Sequence, residues 1–150
     1  MILRNVTEED LPILFEHQRD AEALRMAAFS SREREAFMTH WRTNVLRPEN
    51  VTRSIVVDGV VAGNIGSWEQ NGERLVGYWL GREHWGKGLA TRALSEFLEL
   101  DPIRPLHASV AAHNAGSIRV LEKCGFGVVA QIPKTTADGV AEVFLILGPK

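Results

Sequence analysis

Gly81-Arg82-Glu83-His84-Trp85-Gly86-Lys87-Gly88-Leu89-Ala90-Thr91 is the stretch that decides how this chain is read. An apolar run, Leu75-Val76-Gly77-Tyr78-Trp79-Leu80, precedes it and reads as a strand. Leu89, Ala93, Leu94, Phe97 and Leu98 follow at helical spacing. Two glycines thus stand where a strand gives way to a helix. The first backbone N–H groups of a helix lack intrahelical partners, and the helix dipole is positive there. Such a turn suits a phosphate or pyrophosphate. Gly86 and Gly88 carry no side chain, so the backbone can approach a ligand closely.

Two phosphate chemistries compete for this turn. Gly81, Gly86 and Lys87 match the opening of the pattern G-x-x-x-x-G-K-[ST], but position 88 is glycine. A nucleotide triphosphatase needs a hydroxyl there to hold magnesium. Glu83, His84 and Trp85 are also bulky for a nest around a triphosphate. On this segment alone, a glycine turn that merely joins strand to helix stands level with a phosphate site.

A second segment breaks the tie. Asn114-Ala115-Gly116-Ser117-Ile118-Arg119-Val120-Leu121-Glu122-Lys123-Cys124-Gly125-Phe126 follows another apolar strand, Leu106 to Val110. The pair of segments resembles the GCN5-related N-acetyltransferases, most of all the branch of ribosomal-protein and N-terminal alanine acetyltransferases. The resemblance extends over nearly the whole chain, because Met1 to Glu49 looks like that branch's opening strand and helices. It implies acetyl-CoA as cosubstrate and no metal. It also implies two parallel strands that splay, with the pantetheine arm between them.

Composition sets the bounds. The chain has 150 residues, which predicts one domain over 1–150. It is 45% hydrophobic and 24% charged, with a formal net charge of −2. Those values are ordinary for a globular protein and give no basic surface for nucleic acid. The single cysteine, Cys124, rules out an intrachain disulfide and most metal frameworks. No apolar run reaches the ~18 residues of a bilayer span, and no leader is evident, so a cytoplasmic location without membrane contact is expected. A homodimer stays open.

The elements follow from local signals. Ile2 to Val6 reads as a strand. Thr7 caps a helix with Asp10 three residues on, and Leu11, Leu14, Phe15 and Gln18 continue one face. Arg19 to Ser30 is taken as a loop, and by resemblance that loop and the helix after it shape the acceptor pocket. Ser30 or Ser31 caps a second helix bearing Phe37, Trp41 and Val45. Asp58-Gly59 and Asn71-Gly72 are hairpin turns between strands at Ser54 to Val57, Val60 to Trp68 and Arg74 to Leu80. A helix runs from Gly88 to about Leu100 and stops at Asp101-Pro102. A strand at Leu106 to Val110 and a helix from Ala115 to Lys123 come next, with Gly125 as its C′ residue. Val128 to Ile132 and Glu142 to Leu147 form a last antiparallel pair around Pro133 to Gly139. A strand-helix-strand unit between Leu75 and Val110 requires a parallel pair. The expected class is α/β (α+β): a mixed, mostly antiparallel sheet with one splayed parallel pair and helices on both faces. Gly77 and Gly81 fit a bulge or kink at the splay.

Acyl transfer to an amine needs a held thioester, a donor for the oxyanion, a route for the amine's proton and stabilisation of the leaving thiolate. The expected cofactor set is Leu80, Arg82, Trp85, Gly86, Lys87, Gly88, Leu89, Ala90, Thr91, Asn114 and Ser117. The turn amides would take the pyrophosphate. By resemblance, amides near Leu80 and Arg82 meet the pantetheine and polarise the carbonyl, and Asn114, also an N-cap, touches the pantetheine.

Two positions depart from the family pattern. Glu83 replaces the Gln or Arg that opens its turn. Leu121 stands where many members carry a tyrosine that protonates the thiolate. Tyr78, the one tyrosine, lies on a strand rather than on that helix, so loss of its hydroxyl is expected to cost much less than loss of the Ser117 hydroxyl. Ser117 is the replacement candidate, weighed equally against a first-turn residue that only satisfies a helix N–H.

Glu69 is the candidate base, set against an exposed hairpin charge and deprotonation through water. His84 packs or faces solvent, and His40 and His113 are expected at the surface. Cys124 reads as packing, which favours direct transfer over an acetyl-cysteine. Trp68, Trp79 and Trp85 read as packing residues by default, and Trp41 is placed at the acceptor mouth. The acceptor stays open among a peptide N-terminus, a polyamine and a small amine. A non-catalytic acyl-CoA-binding module is the competing function.

Overall fold

The computed structural model describes residues 1–27, 32–132 and 141–149. Within these residues seven strands form one sheet: β1 (Ile2–Asn5), β2 (Val51–Val57), β3 (Val60–Gln70), β4 (Glu73–Leu80), β5 (Leu106–Ala111), β6 (Gly127–Ile132) and β7 (Glu142–Leu147). Their order across the sheet is β1-β2-β3-β4-β5-β7-β6. All neighbours are antiparallel except β4 and β5. Among the described residues, five α-helices accompany them: α1 (Leu11–Arg19), α2 (Ala21–Ala27), α3 (Arg34–His40), α4 (Leu89–Leu100) and α5 (Ala115–Lys123). Among the described residues, no helix is long and apolar enough to cross a membrane.

Both hairpin turns form as expected, because Asp58 and Asn71 tolerate a positive φ (50° and 53°) and the glycines after them prefer one. The strand-helix-strand unit forces β4 and β5 parallel. They pair only at Arg74 with Leu106 and Leu75 with His107, and diverge beyond that point. This opening is what the site is built on.

The sheet is covered on both faces, with a core on each. Leu94 and Phe97 of α4 and Leu121 of α5 pack on Ile55, Ile65, Val76, Leu106 and Leu145. Leu11, Leu14 and Phe15 of α1 pack with Phe37, Trp41 and Val61 on the other face. The end of α5 closes as the glycine signal predicts. Gly125 has φ 99°, its N–H donates to Glu122 O, and the Phe126 N–H donates to Leu121 O, both at 3.0 Å.

Several expectations are corrected. The stretch after Arg19 is not a loop but holds α2, whose first turn donates from the Ala23 N–H to Asp20 Oδ2 at 2.9 Å. Asp20 before Ala-Glu-Ala-Leu-Arg-Met-Ala was a legible cap and a strong helix former. Ser30 and Ser31 lie outside the described residues, as do Pro133 to Gly139. Glu33 is the N-cap of α3. That helix continues as a π turn at Trp41–Val45, where the Leu46 N–H donates to Trp41 O at 2.9 Å. Gly77 marks no bulge, since the β3–β4 register is unbroken. It makes room for a ring: a Cβ there would lie 3.0 Å from Cη2 of Trp68.

Asp10 does more than cap. Its carboxylate accepts from Arg4 Nη1 and Nη2 (2.7 and 2.9 Å), the Thr7 N–H (2.9 Å) and Ser54 Oγ (2.8 Å). The Arg4 guanidinium is the largest cause holding its pKa down at about 2, against desolvation, which raises it. A carboxylate with a depressed folded pKa stabilises fully above its unfolded value and loses that contribution as pH falls toward the folded one. Asp10→Asn is therefore expected to lower stability at pH 5 by on the order of 1–2 kcal/mol, with the deficit shrinking between about pH 4 and pH 2. Urea midpoints at pH 5 and pH 2.5 check this, and a deficit that stays constant would overturn it.

Candidate active site

The turn after β4 is shaped by its glycines. Gly81 ends the strand against α1, where a Cβ would sit 2.8 Å from the His17 ring. Arg82–His84 forms one 3-10 turn. Gly86 and Gly88 then adopt φ 75° and 74°, a left-handed conformation that side chains disfavour. Gly88 is the N-cap of α4, and Arg92 is the first residue of that helix to donate backward, to Gly88 O at 3.2 Å. Among the described residues, the N–H groups from Gly86 to Thr91 have no protein partner. Leu89 is buried and anchors the helix start, so its contribution to the turn is its amide. Lys87 is exposed.

The strand before the turn supplies further donors. The Gly81 N–H donates to Ala62 O at 2.8 Å, so the odd-numbered residues of β4 exchange bonds with β3. The amides of Tyr78 and Leu80 therefore point the other way, into the gap that β5 leaves. Leu80 O in that gap accepts from the Trp85 indole at 3.1 Å. Arg82 lies 3.5 Å from Asp20 and so ties the turn to the start of α2.

Across the gap, α5 presents its first turn. Asn114 Oδ1 accepts from the Ser117 N–H at 3.2 Å. The Ser117 hydroxyl is 2.7 Å from the Tyr78 hydroxyl. The expectation that Tyr78 stands apart from this helix is thus corrected. Period-2 alternation carried the signal: Tyr78 shares a face with Val76 and Leu80, the face that α4 and α5 cover. Burial pushes the Tyr78 phenol up to about 12, against the lowering effect of the Ser117 hydrogen bond, so it is neutral and a donor near pH 7. Leu121 is 1% exposed within the core, so its position does not face the gap.

Two clefts meet at Tyr78 and Trp79. One, of about 310 Å³, is lined by Leu80, Trp85, Gly86, Ala90, Asn114 and Ser117, with Ala23, Met26 and Ala27 of α2 along one wall. The other, of about 750 Å³, lies on the α1–α3 side, where Gly77, Trp68 and Trp41 line it. Trp41 lines the second cleft, its ring centroid 5.7 Å from that of Phe37. His40 is half-buried in that cleft rather than at the surface, with Nδ1 3.2 Å from Asn44. His113 is exposed and lies 2.8 Å from Arg25 O. His84 is half-buried beside Glu83.

Glu69 also lines the second cleft. It is half-exposed and 3.7 Å from Arg74. It pairs across the sheet with Arg74, four residues from the level of Tyr78, or roughly 13 Å along the strand. Arg74 in turn bonds Asp101 at 3.1 Å, and Ser67 donates to the same carboxylate. The residue read as a helix stop therefore also locks the end of α4 to the sheet. Cys124 is half-buried, its thiol pushed up by burial and its Sγ 3.7 Å from Thr91 O. Among the described residues, no cluster of three or more potential metal ligands occurs.

Comparison with known proteins agrees with this architecture. A family model described as an acetyltransferase (GNAT) domain matches residues 1–127. The crystal structure of a ribosomal-protein-alanine N-acetyltransferase from Brucella melitensis superposes with a TM-score of 0.85 at 20% identity, covering 99% of each chain. A spermidine N-acetyltransferase from Vibrio cholerae, in complex with CoA and spermine, superposes at 0.86 with 14% identity over 98% of this chain and 94% of that one. At these identities the likeness is one of fold. An uncharacterized N-acetyltransferase p20 from Bacillus licheniformis is 34% identical over 62 residues, which span 39% of this chain and 35% of that protein.

Proposed function

We propose that this chain, which belongs to the acetyltransferase (GNAT) family, transfers the acetyl group of acetyl-CoA directly to a primary amine. The observation that carries the reading is the meeting of two clefts at Tyr78 and Trp79. One is rimmed by uncommitted backbone donors and a hydroxyl pair, and the other is open and floored by tryptophan.

The residues present fit acetyl-CoA, which supplies the activated acetyl thioester. The amides from Gly86 to Thr91 bind its pyrophosphate at the positive end of α4. Asn114 and the α2 wall hold the pantetheine arm in the gap between β4 and β5. The N–H groups of Tyr78 and Leu80 polarise the acetyl carbonyl.

Ser117 donates to the departing sulfur. Neither its hydroxyl nor the Tyr78 phenol, pushed up to about 12, is acidic enough to protonate a thiolate whose conjugate thiol titrates near 8.5, so the sulfur leaves as a hydrogen-bonded thiolate. Tyr78 therefore orients Ser117 and supports it by hydrogen bonding rather than giving up its proton. The amine loses its proton to water, and Glu69, too far along the strand to touch the amine or share one water with it, is reached only through a chain of waters. Cys124, with a raised pKa, stays a thiol, in keeping with direct transfer. The missing tyrosine at Leu121 was the main support for a non-catalytic acyl-CoA-binding module, and the Tyr78–Ser117 pair weakens it.

Release of CoA thiol with a panel of peptide, polyamine and small-molecule amines tests the reading; binding without release for every acceptor would overturn it. Ligand identity has its own test. CoA at about 100 times its Kd should stabilise by about 2.7 kcal/mol, or roughly 5–10 °C in melting temperature. Mg-ATP should not, because Gly88 lacks the hydroxyl that would hold magnesium. A larger shift with Mg-ATP would return the turn to the triphosphatase reading.

A further inference from the structure

Helix α1 buries His17 along with Leu11, Leu14, Phe15 and Gln18. The His17 ring lies at the joint between β4 and the turn that follows it. A Cβ on Gly81 would come within 2.8 Å of both Cδ2 and Nε2 of that ring. Gly81 has φ −59° and ψ 142°, which any residue adopts, so its missing side chain makes room for the imidazole. Two hydrogen bonds meet at Gly81. Its N–H donates to Ala62 O at 2.8 Å, and its carbonyl accepts the His84 N–H at 2.9 Å to open the 3-10 turn. The His17 carbonyl in turn accepts the Trp79 indole at 3.2 Å. The imidazole thus buttresses the end of β4 and the start of the turn.

An apolar ring would serve packing alone. Nδ1 of His17 is buried and, among the described residues, has no hydrogen-bond partner. A neutral imidazole fits that place with its proton on Nε2 and a bare lone pair at Nδ1. An imidazolium carries a proton on both nitrogens, so it would bury a charge and an N–H that nothing accepts. Burial is accordingly the largest cause lowering the His17 pKa from its ordinary 6.5. The turn supplies charges that act on the ring: the Glu83 carboxylate favours the imidazolium, and His84 opposes it. Glu83 is exposed and so screened by solvent. The other charges at this end of α1 are matched to one another, Asp20 with Arg82 at 3.5 Å and Glu16 with Arg19 at 3.1 Å. Arg34 of α3 lies over the Phe15 ring, and β3 and β4 meet α1 with Val61 and Trp79.

Resting on the acetyl-CoA reading of the turn, we infer that His17 is a positioning residue for that turn and serves only as the neutral imidazole: protonation drives the ring off Gly81, loosens the joint between β4 and the 3-10 turn, and weakens CoA binding. Proton and CoA then oppose each other, and by linkage each lowers the affinity of the protein for the other. A buried histidine whose folded pKa lies below its unfolded value keeps its packing above about pH 6.5 and loses it as pH falls from there through the folded value. CoA affinity therefore falls on the acid side.

The experiment is calorimetry of CoA binding between pH 7.5 and pH 5 in the wild type, His17→Gln and His84→Gln. Over that range the wild-type Kd should rise by roughly 3- to 10-fold more than the Kd of His17→Gln, whose side chain stays neutral throughout. Titration of the ligand's own phosphates is common to both proteins and cancels in the comparison. His84→Gln should keep the wild-type profile. A histidine that only packs would instead give His17→Gln a Kd offset of the same size at every pH. The NMR titration of the His17 ring proton in the wild type reads the same linkage without a substitution, and its midpoint should move to lower pH when CoA is bound. Equal pH profiles in the wild type and His17→Gln, a profile lost only in His84→Gln, or an NMR midpoint that CoA leaves unmoved overturns the inference alone. No CoA binding to the wild type at pH 7.5 overturns the cofactor reading and the inference with it.

Discussion

Gly86→Val and Gly88→Val are each expected to weaken acetyl-CoA binding by roughly 10- to 100-fold, from strain of about 1–3 kcal/mol. The cause lies in the backbone. A Cβ at either position meets nothing within 4 Å, so the protein itself has room for a side chain. The φ values of 75° and 74° are what valine cannot adopt cheaply. A valine variant either holds the turn under strain or relaxes to negative φ, which rotates the Gly86–Thr91 amides away from their common focus. Gly88→Asn is the control, since asparagine tolerates the left-handed region better than other side chains. It should retain more affinity than Gly88→Val. Calorimetry on folded variants decides the matter, and unchanged affinity in both valine variants would remove the pyrophosphate from this turn.

Ser117→Ala should lower kcat by roughly 10- to 100-fold, with a smaller effect on KM for acetyl-CoA, as for an interaction made mainly in the transition state. The position of Tyr78 on a strand rather than on the last helix predicts, from sequence, a much smaller effect for Tyr78→Phe. The 2.7 Å contact between the two hydroxyls changes that expectation. Loss of the phenol frees Ser117 to turn away from the sulfur, so Tyr78→Phe should also lower kcat by about 10-fold or more. The two changes should be less than additive, because each removes the same donor geometry. Leu121→Tyr should not rescue Ser117→Ala. Leu121 sits within the core, and the added ring would overpack it. Steady-state rates for the single and double variants, with any accepted amine, decide between these outcomes. A Ser117→Ala enzyme with wild-type kcat would reduce Ser117 to a helix-start residue and leave the thiolate to water.

What was legible in the sequence was local. Asp58-Gly59 and Asn71-Gly72 announce hairpins because few residues accept positive φ. Gly125 announces a helix end for the same reason. The spacing from Leu89 to Leu98 announces α4, because one face of a helix has to be apolar to be buried. These signals span only a few residues, so they survive without tertiary context, and together they mark the hairpins of the sheet, the start of α4 and the end of α5. Asp20 and the run after it carried an equally local signal, which the loop reading of that stretch passed over.

What the chain alone left open lies between elements distant in sequence. Tyr78 and Ser117 are 39 residues apart, and their contact depends on how α5 packs over the face that Tyr78 shares with Val76 and Leu80. The bond between Asp10 and Ser54 spans 44 residues, and that between Ser67 and Asp101 spans 34. Gly77 looked like a kink until the Trp68 ring filled its empty side. The sequence determined most of the elements and placed glycines in the turn before α4, where the backbone takes positive φ. The tertiary structure decided which hydroxyls, amides and carboxylates meet, because alternation gives the face a side chain takes but not its partner, which is set by packing across the sheet and by the divergence of β4 and β5.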